Sequence, residues 1–479
     1  MQGYSSAPAA EGPLARIPDW GIRKIRRHAA LIAVGGFLFG FDTGVISGAL
    51  LFIRTDFALD SFEQGSVVSV LVLGAMVGAL ASGRLADRLG RRRIFALEGA
   101  VFVAGTALAA LAPGYGVLIV ARLVLGLAVG AASATVPPYL SEISPKEVRG
   151  RILTLNQLMI TTGILVAYLV NLAFSGSGSW RAMIAVGAVP ALVMVVSAVW
   201  VLPESPEWLL AHGHRRRARA LIAGVSDQET ADQVIQRREE LRREQEAGDA
   251  PEDRTATGWR SLLTDRVRPA LVVGLVLAAT QQFGGINTII YYAPTIIERT
   301  GLTASNSIVY SIAIGIINLV MTLVAIRLID SAGRRELLLV SFAVMTVTMA
   351  LLGLAFVAGW GSVPTLLFMV LYIGGYAAGV GPVFWTLIGE IFPPRARATG
   401  SSASTALNWA SNFTVSLVFL PIAGVLGQGE TFWIFAVISA IGLLFTARFI
   451  PETKGRDFAQ VDHELQSRFG HRRPAAKKA

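Results

Sequence analysis

The chain has 479 residues, 53% of them hydrophobic and only 15% charged, where an average soluble chain carries roughly 25% charged residues. The charges gather in short islands between apolar runs of about 20 residues or more, which excludes a water-soluble protein and identifies a polytopic membrane protein. The net charge of +10 lies in the loops, where membrane topology and anionic lipid account for it without nucleic acid as a partner, and the absence of cysteine excludes disulfides, thiolate metal sites and thiol catalysis.

Residues 1–28 read as an N-terminal tail ending in Arg23, Lys24, Arg26 and Arg27. The apolar run that follows, 29–53, is too long for the core of a cleaved signal peptide and reads as a first membrane span. Further runs at 65–85, 94–112, 115–140, 152–174 and 181–202 complete a six-helix bundle over 29–202. Residues 203–268 change character, with His214-Arg215-Arg216-Arg217, Arg237-Arg238-Glu239-Glu240 and Arg242-Arg243-Glu244. Opposite charges three and four apart suit solvated helices, so the segment reads as a cytoplasmic helical linker. A nucleic-acid arm, or a metal site at His212-x-His214, is the alternative. Runs at 269–298, 306–329, 337–358, 364–389, 400–426 and 431–450 form a second bundle over 269–450, and 451–479 is a C-terminal tail. Each run can cross a ~30 Å hydrocarbon core as a helix, and the ~10-residue alternation of barrel strands is absent.

The two bundles repeat one another. Asp87-x-x-Gly90-Arg91-Arg92 returns as Asp330-x-x-Gly333-Arg334-Arg335, Glu142 and Arg149 return as Glu390 and Arg397, and Pro203-Glu204 returns as Pro451-Glu452. Each motif follows the equivalent even-numbered run, so the repeat is parallel and six helices long, a transporter plan with a central site between the halves. Loops after even runs carry Arg84, Arg88, Arg91, Arg92, Arg93, Lys146, Arg149, Arg151, Arg327, Arg334, Arg335, Arg395 and Arg397; loops after odd runs carry only Arg54, Arg181 and Arg299. That asymmetry predicts even-run loops, linker and both tails in the cytoplasm.

Few charged residues lie deep in the runs: Asp42, Glu98 and Arg122. A charge in the bilayer is costly and usually paired, so Asp42 and Arg122 are expected to form an ion pair with a role in coupling. Glu98 lies close to the basic end of its run and is expected to snorkel towards water. The second bundle has no charge in its membrane core, which suits a neutral substrate, and it is rich in amides and aromatics: Gln281, Gln282, Asn287, Tyr291, Tyr292, Asn318, Trp385, Asn408, Trp409 and Asn412, with Asn156 and Gln157 in the first bundle. Amides donate and accept, as a polyhydroxylated ligand requires, and tryptophan offers a flat face to its C–H groups. Interhelical hydrogen bonding is the alternative for any one amide.

These motifs resemble those of the sugar porter family of the major facilitator superfamily. The matching residues are Gly83-Arg84-x-x-Asp87-Arg88-x-Gly90-Arg91-Arg92, Pro203-Glu204-Ser205-Pro206-x-Trp208-Leu209, Gln281-Gln282-x-x-Gly285-x-Asn287 with Tyr291-Tyr292, Gly381-Pro382-x-x-Trp385 with Glu390, and Pro451-Glu452-Thr453-Lys454-Gly455. The resemblance runs from about Ala29 to Lys454 and implies an all-α fold of 12 transmembrane helices in two pseudo-symmetric six-helix bundles. It implies sugar contacts at Gln157, Gln281, Gln282, Asn287, Asn318, Trp385, Asn408 and Trp409, with Phe39 and Tyr292 as weaker aromatic candidates. It also implies cytoplasmic charge clusters that latch the outward-facing state, drawn from Arg84, Arg88, Glu142, Arg149, Arg151, Glu204, Arg334, Glu390 and Arg397. The repeat adds Arg91, Arg92 and Arg335 to these clusters. Proton-coupled members carry an acid at the position of Asp42, whereas facilitators usually carry a neutral residue there. Glu207 stands where the family commonly has Arg, which weakens or rewires part of the latch, and Ala121 stands where Gly is common.

The expected activity is proton-coupled symport of a neutral monosaccharide (a hexose or pentose) or related polyol across the cytoplasmic membrane. The protein is expected to act as a monomer, with no cofactor or metal and the proton gradient as its energy source. The rival readings are an uncoupled facilitator, against which Asp42 and Arg122 argue, and a non-transporting sugar sensor. A membrane enzyme is excluded by the lack of histidine and cysteine in the spans.

Overall fold

The computed structural model describes residues 18–248, 262–393 and 396–470. The start of the N-terminal tail, the end of the linker, Arg395, His471 and Lys477-Lys478 lie outside the described residues, as do the side chains of Lys146, Asp330 and 241–248.

The first half runs α1 (Asp19–Ile32), α2 (Val34–Asp56), α3 (Ser61–Leu89), α4 (Arg91–Ala110), α5 (Tyr115–Ile143), α6 (Lys146–Ser175), α7 (Trp180–Ala185) and α8 (Ala188–Trp200). The linker forms α9 (Pro206–Ala211), α10 (Arg215–Ala223) and α11 (Gln228–Gly248). The second half continues with α12 (Arg268–Phe283), α13 (Ile286–Glu298), α14 (Ala304–Ser331), α15 (Arg334–Val357), α16 (Ser362–Ala378), α17 (Val380–Glu390), α18 (Arg397–Val425), α19 (Gln428–Phe449) and α20 (Phe458–Arg468). Among the described residues, 12 helical segments are long and apolar enough to cross a membrane. Helices satisfy their own backbone hydrogen bonds, so apolar sequence of this length takes no other form in lipid. The helix of the first span starts at Asp19, ten residues before the apolar run, and bends at Ala33. Its basic residues alternate with Gly21, Ile25 and Ala29, which are buried, so the end of the tail is an amphipathic extension of the first span.

The described chain divides into two compact units, one of 18–49 and 70–248, the other of 50–69, 262–393 and 396–470. The second unit thus takes in the end of α2 and the start of α3.

In the first unit, α2 lies on α6 along Gly36, Gly40, Gly44 and Gly48, spaced one per turn. A β-carbon at Gly40 would overlap the Ile160 carbonyl oxygen, and one at Gly44 would sit 2.8 Å from that of Ile164. Only glycine permits this backbone approach. Gly40→Val should therefore prevent the first unit from assembling, read as loss of folded protein on size exclusion in detergent. Gly83→Ala, where nothing lies within 4 Å, should be silent in the same assay.

The linker carries a small core of its own, Ile222, Ala231, Val234 and Ile235, with Leu210 and Ala223 packed on it. Arg219 and Asp232 brace α10 on α11 at 2.6 Å, and Lys24 of α1 donates to the Gly224 carbonyl at 3.1 Å. The segment is therefore structured against the first unit. Glu207 faces Arg238 of α11 at 3.4 Å, so its charge serves the linker.

Candidate functional site

Among the described residues, the buried acidic and basic side chains within the spans are Asp42, Glu98 and Arg122, all in the first unit. Asp42 of α2 and Arg122 of α5 are 3% and 2% exposed. One guanidinium nitrogen of Arg122 donates to both Asp42 oxygens, at 2.9 and 3.0 Å. In a medium that cannot solvate either charge, each is the other's main compensation.

Glu98 does not snorkel. It is 4% exposed, its Oε1 accepts from the Thr135 hydroxyl at 2.7 Å, and its Oε2 has no hydrogen-bond partner. Nearness to Arg91–Arg93 along the chain misled the expectation. Seven residues is almost two helical turns, and α4 turns Glu98 to the face that packs on α5.

The amides of the second unit form one connected group. Gln282 donates to Asn408 Oδ1 at 3.0 Å, Asn408 donates to Gln281 Oε1 at 2.5 Å, and Asn287 donates to Gln282 Oε1 at 2.6 Å. Gln281 reaches the carbonyls of Val380 and Gly381 at 3.4 and 3.5 Å. Two spans break at this level. Gly284 and Gly285 separate α12 from α13, and Gly285 takes φ +97°, a left-handed conformation glycine adopts without strain. Gly379, at φ −139° and ψ −78°, separates α16 from α17. Interrupted helices of this kind occur in membranes where backbone lines a cavity or is buried in protein. Here Tyr372 donates to the Gly284 carbonyl at 2.8 Å, and Ser341 accepts from the Val380 N–H at 3.1 Å. The sequence reading missed Ser341, Tyr372 and Tyr376, the last hydrogen-bonded to Gln281; Gly284-Gly285 and Gly379-x-Gly381-Pro382 were the signals that marked their neighbourhood.

The remaining candidates are spread out. Trp385 packs edge-on against Phe384 at 4.9 Å and is 48% exposed. Asn318 is buried on α14, and Trp409 is half-buried on α18 next to Asn408. Tyr292 is fully buried on α13 with its hydroxyl spent on the Ser416 carbonyl at 2.6 Å and its ring 5.4 Å from Phe419, so it ties α13 to α18 outside the amide group. In the first unit, Gln157 is exposed on α6 and Phe39 half-buried on α2.

The repeated charged motifs form two equivalent arrangements, each inside its own unit. Gly90 and Gly333 take φ +95° and +96° at the starts of α4 and α15. A β-carbon at either would run into a carboxylate, that of Glu204 or Glu452. Those carboxylates accept the first N–H groups of the helices: Arg91 and Arg92 at 2.7 and 3.2 Å from Glu204, Arg334 and Arg335 at 3.0 and 3.1 Å from Glu452. A helix N-terminus favours an anion, which explains why Gly-Arg-Arg and Pro-Glu occur together in each half. Arg91 donates to Asp87 at 2.8 Å and to Glu142 at 3.1 Å, and Arg334 to Glu390 at 3.1 Å. Thr453 completes the second group by donating to Glu390 at 2.6 Å.

Arg92 and Arg335 are placed differently from a charge cluster. Arg92 donates to the carbonyls of Ala198 and Val199, and Arg335 to those of Ala447 and Ile450, so each caps the last turn of a helix. Arg149 reaches the Ser144 carbonyl at 3.3 Å; Arg84, Arg88 and Arg151 are exposed, and Arg397 is half-buried. Among the described residues no group of three or more His, Cys, Asp or Glu is placed to hold a metal, and His212 stacks on Trp208 at 4.2 Å.

Partial burial pushes the Glu452 carboxyl up, but the N–H groups of Lys454, Arg334, Arg335 and Thr453 outweigh it and hold the group below its usual 4.5. A depressed carboxylate stabilises the fold above its unfolded pKa and loses that contribution as pH falls through the folded value. Thermal stability should therefore decline below about pH 4.5 in the wild type. Glu452→Gln should lower stability at pH 7 and flatten that part of the profile, which melting curves across pH 3–7 would test.

Over most of its length the chain is similar to known membrane transporters. Residues 28–465 match the family model described as sugar (and other) transporter. The galactose–proton symporter of Escherichia coli is 38% identical over 441 residues, covering 91% of this chain and 93% of that protein. The glucose transporter GlcP of Staphylococcus epidermidis is 39% identical over 447 residues, covering 92% and 97%. Among solved structures, the partially occluded inward-open conformation of the xylose transporter XylE from E. coli superposes with a TM-score of 0.79 at 28% identity, covering 91% of this chain and 99% of that one.

Proposed function

The chain belongs to the sugar porter family of the major facilitator superfamily, a family of membrane transporters and not of enzymes, and from that premise we propose that it carries a neutral monosaccharide or related polyol into the cell together with a proton. The observation that carries the coupled reading is the buried Asp42–Arg122 pair, 2.9 Å long. A buried ion pair is weak evidence of a purely structural role, because hydrophobic residues of similar volume often hold helices together as well. Asp42 takes up and releases the proton, and Arg122 opposes that proton while the pair is closed.

The sugar hydroxyls are held by Gln281, Gln282, Asn287 and Asn408, whose present bonds to one another are exchanged for bonds to the ligand. Trp385 supplies an apolar face, and Asn318, Trp409, Gln157 and Phe39 are further contacts. The absence of buried charge among the described residues of the second unit supports a neutral ligand. The even-run loops face the cytoplasm, and transport proceeds by alternating access. The galactose–proton symporter among the relatives supports both substrate class and coupling.

Proteoliposomes loaded at one pH and diluted into another, with a panel of labelled hexoses, pentoses and inositol, test the reading. At least one sugar should concentrate inside when the outside is acidic. Entry that only equilibrates identifies a facilitator, and no entry of any member of the panel would overturn the substrate class.

A further inference from the structure

At the ends of the spans opposite the Gly-Arg-Arg motifs, Arg54 and Glu298 form an ion pair. A single nitrogen of Arg54 lies 2.7 and 2.6 Å from the two Glu298 oxygens. The side chains are 29% and 22% exposed, so the contact is shielded but reachable by water. Arg54 lies in the last turn of α2, and Glu298 is the last residue of α13. The pair therefore joins a helix of the first six spans to a helix of the second six, and both residues lie in the second unit.

The placement of Glu298 is unfavourable by itself. A carboxylate at the C-terminal end of a helix faces the negative end of the backbone dipole, whereas Arg54 at the end of α2 is well placed. Glu298 gains its favourable environment from Arg54. Arg299 does not substitute, since it donates to Gln428 at 2.8 Å. Burial and then the charge of Arg54 lower the proton affinity of Arg299, and Glu298 opposes them. Without Glu298, two arginines would face each other at one helix end.

A second contact accompanies the pair. Gly65, in the first turns of α3, lies so close to α18 that a β-carbon there would overlap the Leu417 carbonyl oxygen. Two helices of the first six spans, α2 and α3, are thus held at this end against α13 and α18. The ion pairs at the Gly-Arg-Arg end, Arg91 with Asp87 and Glu142 and Arg334 with Glu390, each join helices of the same six-span half. The asymmetry puts the opening element at the Arg54 end, because a salt bridge in partial contact with water can break at modest cost.

We infer that Arg54 and Glu298 are a latch on the extracellular side of the transporter, whose ion pair keeps the outer end closed and must part before substrate enters from outside. This rests on the transport reading and on the orientation in which loops after odd runs face outwards. Opening exposes both charges to water, which solvates them separately. Closing restores the pair and its compensation for the α13 dipole.

The chain has no cysteine, so one introduced cysteine reports accessibility without background. Ile53→Cys places a thiol at a fully buried position beside Arg54, and Ser177→Cys places one at an exposed position in another odd-run loop. Both are treated in intact cells with a membrane-impermeant maleimide. Ser177→Cys should label from outside in every background. Ile53→Cys should label slowly with the latch intact and roughly two- to five-fold faster with Arg54→Ala or Glu298→Gln. Arg54→Glu combined with Glu298→Arg should restore part of the protection, and Arg54→Lys most of it, which a merely structural loss would not do. Unchanged labelling of Ile53→Cys in both single variants overturns the latch, as does acceleration that the exchanged pair fails to reverse in protein that remains monodisperse. Ser177→Cys labelling only in inverted vesicles overturns the orientation, and with it the extracellular assignment, while the sugar-uptake assay stands independently.

Discussion

Asp42→Asn should abolish uphill accumulation of sugar while leaving binding, and exchange of sugar for sugar, in place. The carboxylate is 3% exposed and accepts from Arg122 at 2.9 and 3.0 Å, so a proton bound there would be shielded from bulk water. Burial opposes its charge and the arginine supports it, and a small separation of α2 from α5 changes that balance. One proton crossing a ~100 mV potential supplies ~2.3 kcal/mol. At about 1.4 kcal/mol per tenfold, that supports roughly 40-fold accumulation. Asn keeps the shape and removes the titration, so the accumulation ratio should fall to about 1. Arg122→Ala should act differently. It leaves a buried carboxylate without its cation, a loss of ~3–5 kcal/mol where the charge persists, and should shift the pH dependence of uptake as well as its rate. Uptake into proteoliposomes under an imposed pH gradient reads both variants. Wild-type accumulation by Asp42→Asn would remove Asp42 from the coupling mechanism.

Loss of the amide hub should cost sugar affinity across the whole substrate panel. Asn408 accepts from Gln282 Nε2 and donates to Gln281 Oε1, so Asn408→Ala takes one partner from each glutamine as well as removing its own contact. Leaving such groups unpaired costs ~1–3 kcal/mol, roughly 5- to 150-fold in affinity. Gln282→Ala should fall in the same range, because Asn287 and Asn408 both lose a partner. Trp385→Ala should weaken binding through lost apolar contact without changing the amide bonds. Asn412→Ala is the control, since its side chain accepts from Ser416 at 3.1 Å, outside the group. Calorimetric titration with the sugar that wild type transports separates these outcomes. Equal affinities in wild type, Gln282→Ala and Trp385→Ala would sink the site.

The spans were legible because lipid leaves an apolar 20-residue segment one backbone solution. The pairing of Asp42 with Arg122 was legible by scarcity: with so few ions in the spans, each had few possible partners. What the sequence hid depended on rotation and approach. Glu98 lies near a basic end along the chain, yet one helical face decides whether it meets water or Thr135. The breaks at Gly284-Gly285 and Gly379 were hidden within runs apolar enough to read as continuous helices. Arg92 and Arg335 looked like members of a charge cluster because charge is visible in sequence, whereas the helix ends they cap are carbonyls that every residue carries. The close seating of α2 on α6 was written in Gly36, Gly40, Gly44 and Gly48, but spacing alone does not say which helix they face.

The assignment of 50–69 to the second unit has a consequence for how the chain is made. Synthesis proceeds from the N-terminus at about 5–20 residues per second. Glu204 is in hand to close the start of α4 as soon as the sixth span emerges. Arg54, by contrast, precedes Glu298 by 244 positions, which is roughly 12–50 seconds at that pace. During this interval the end of α2 and the start of α3 sit in the bilayer before α13 and α18 exist. Gly65 has no Leu417 to meet, and the cationic end of α2 faces water and lipid headgroups. That stretch is where a nascent chain of this protein is open to a membrane chaperone or to protease, and where a ribosome stalled before residue 298 would leave its product recognisably unfinished.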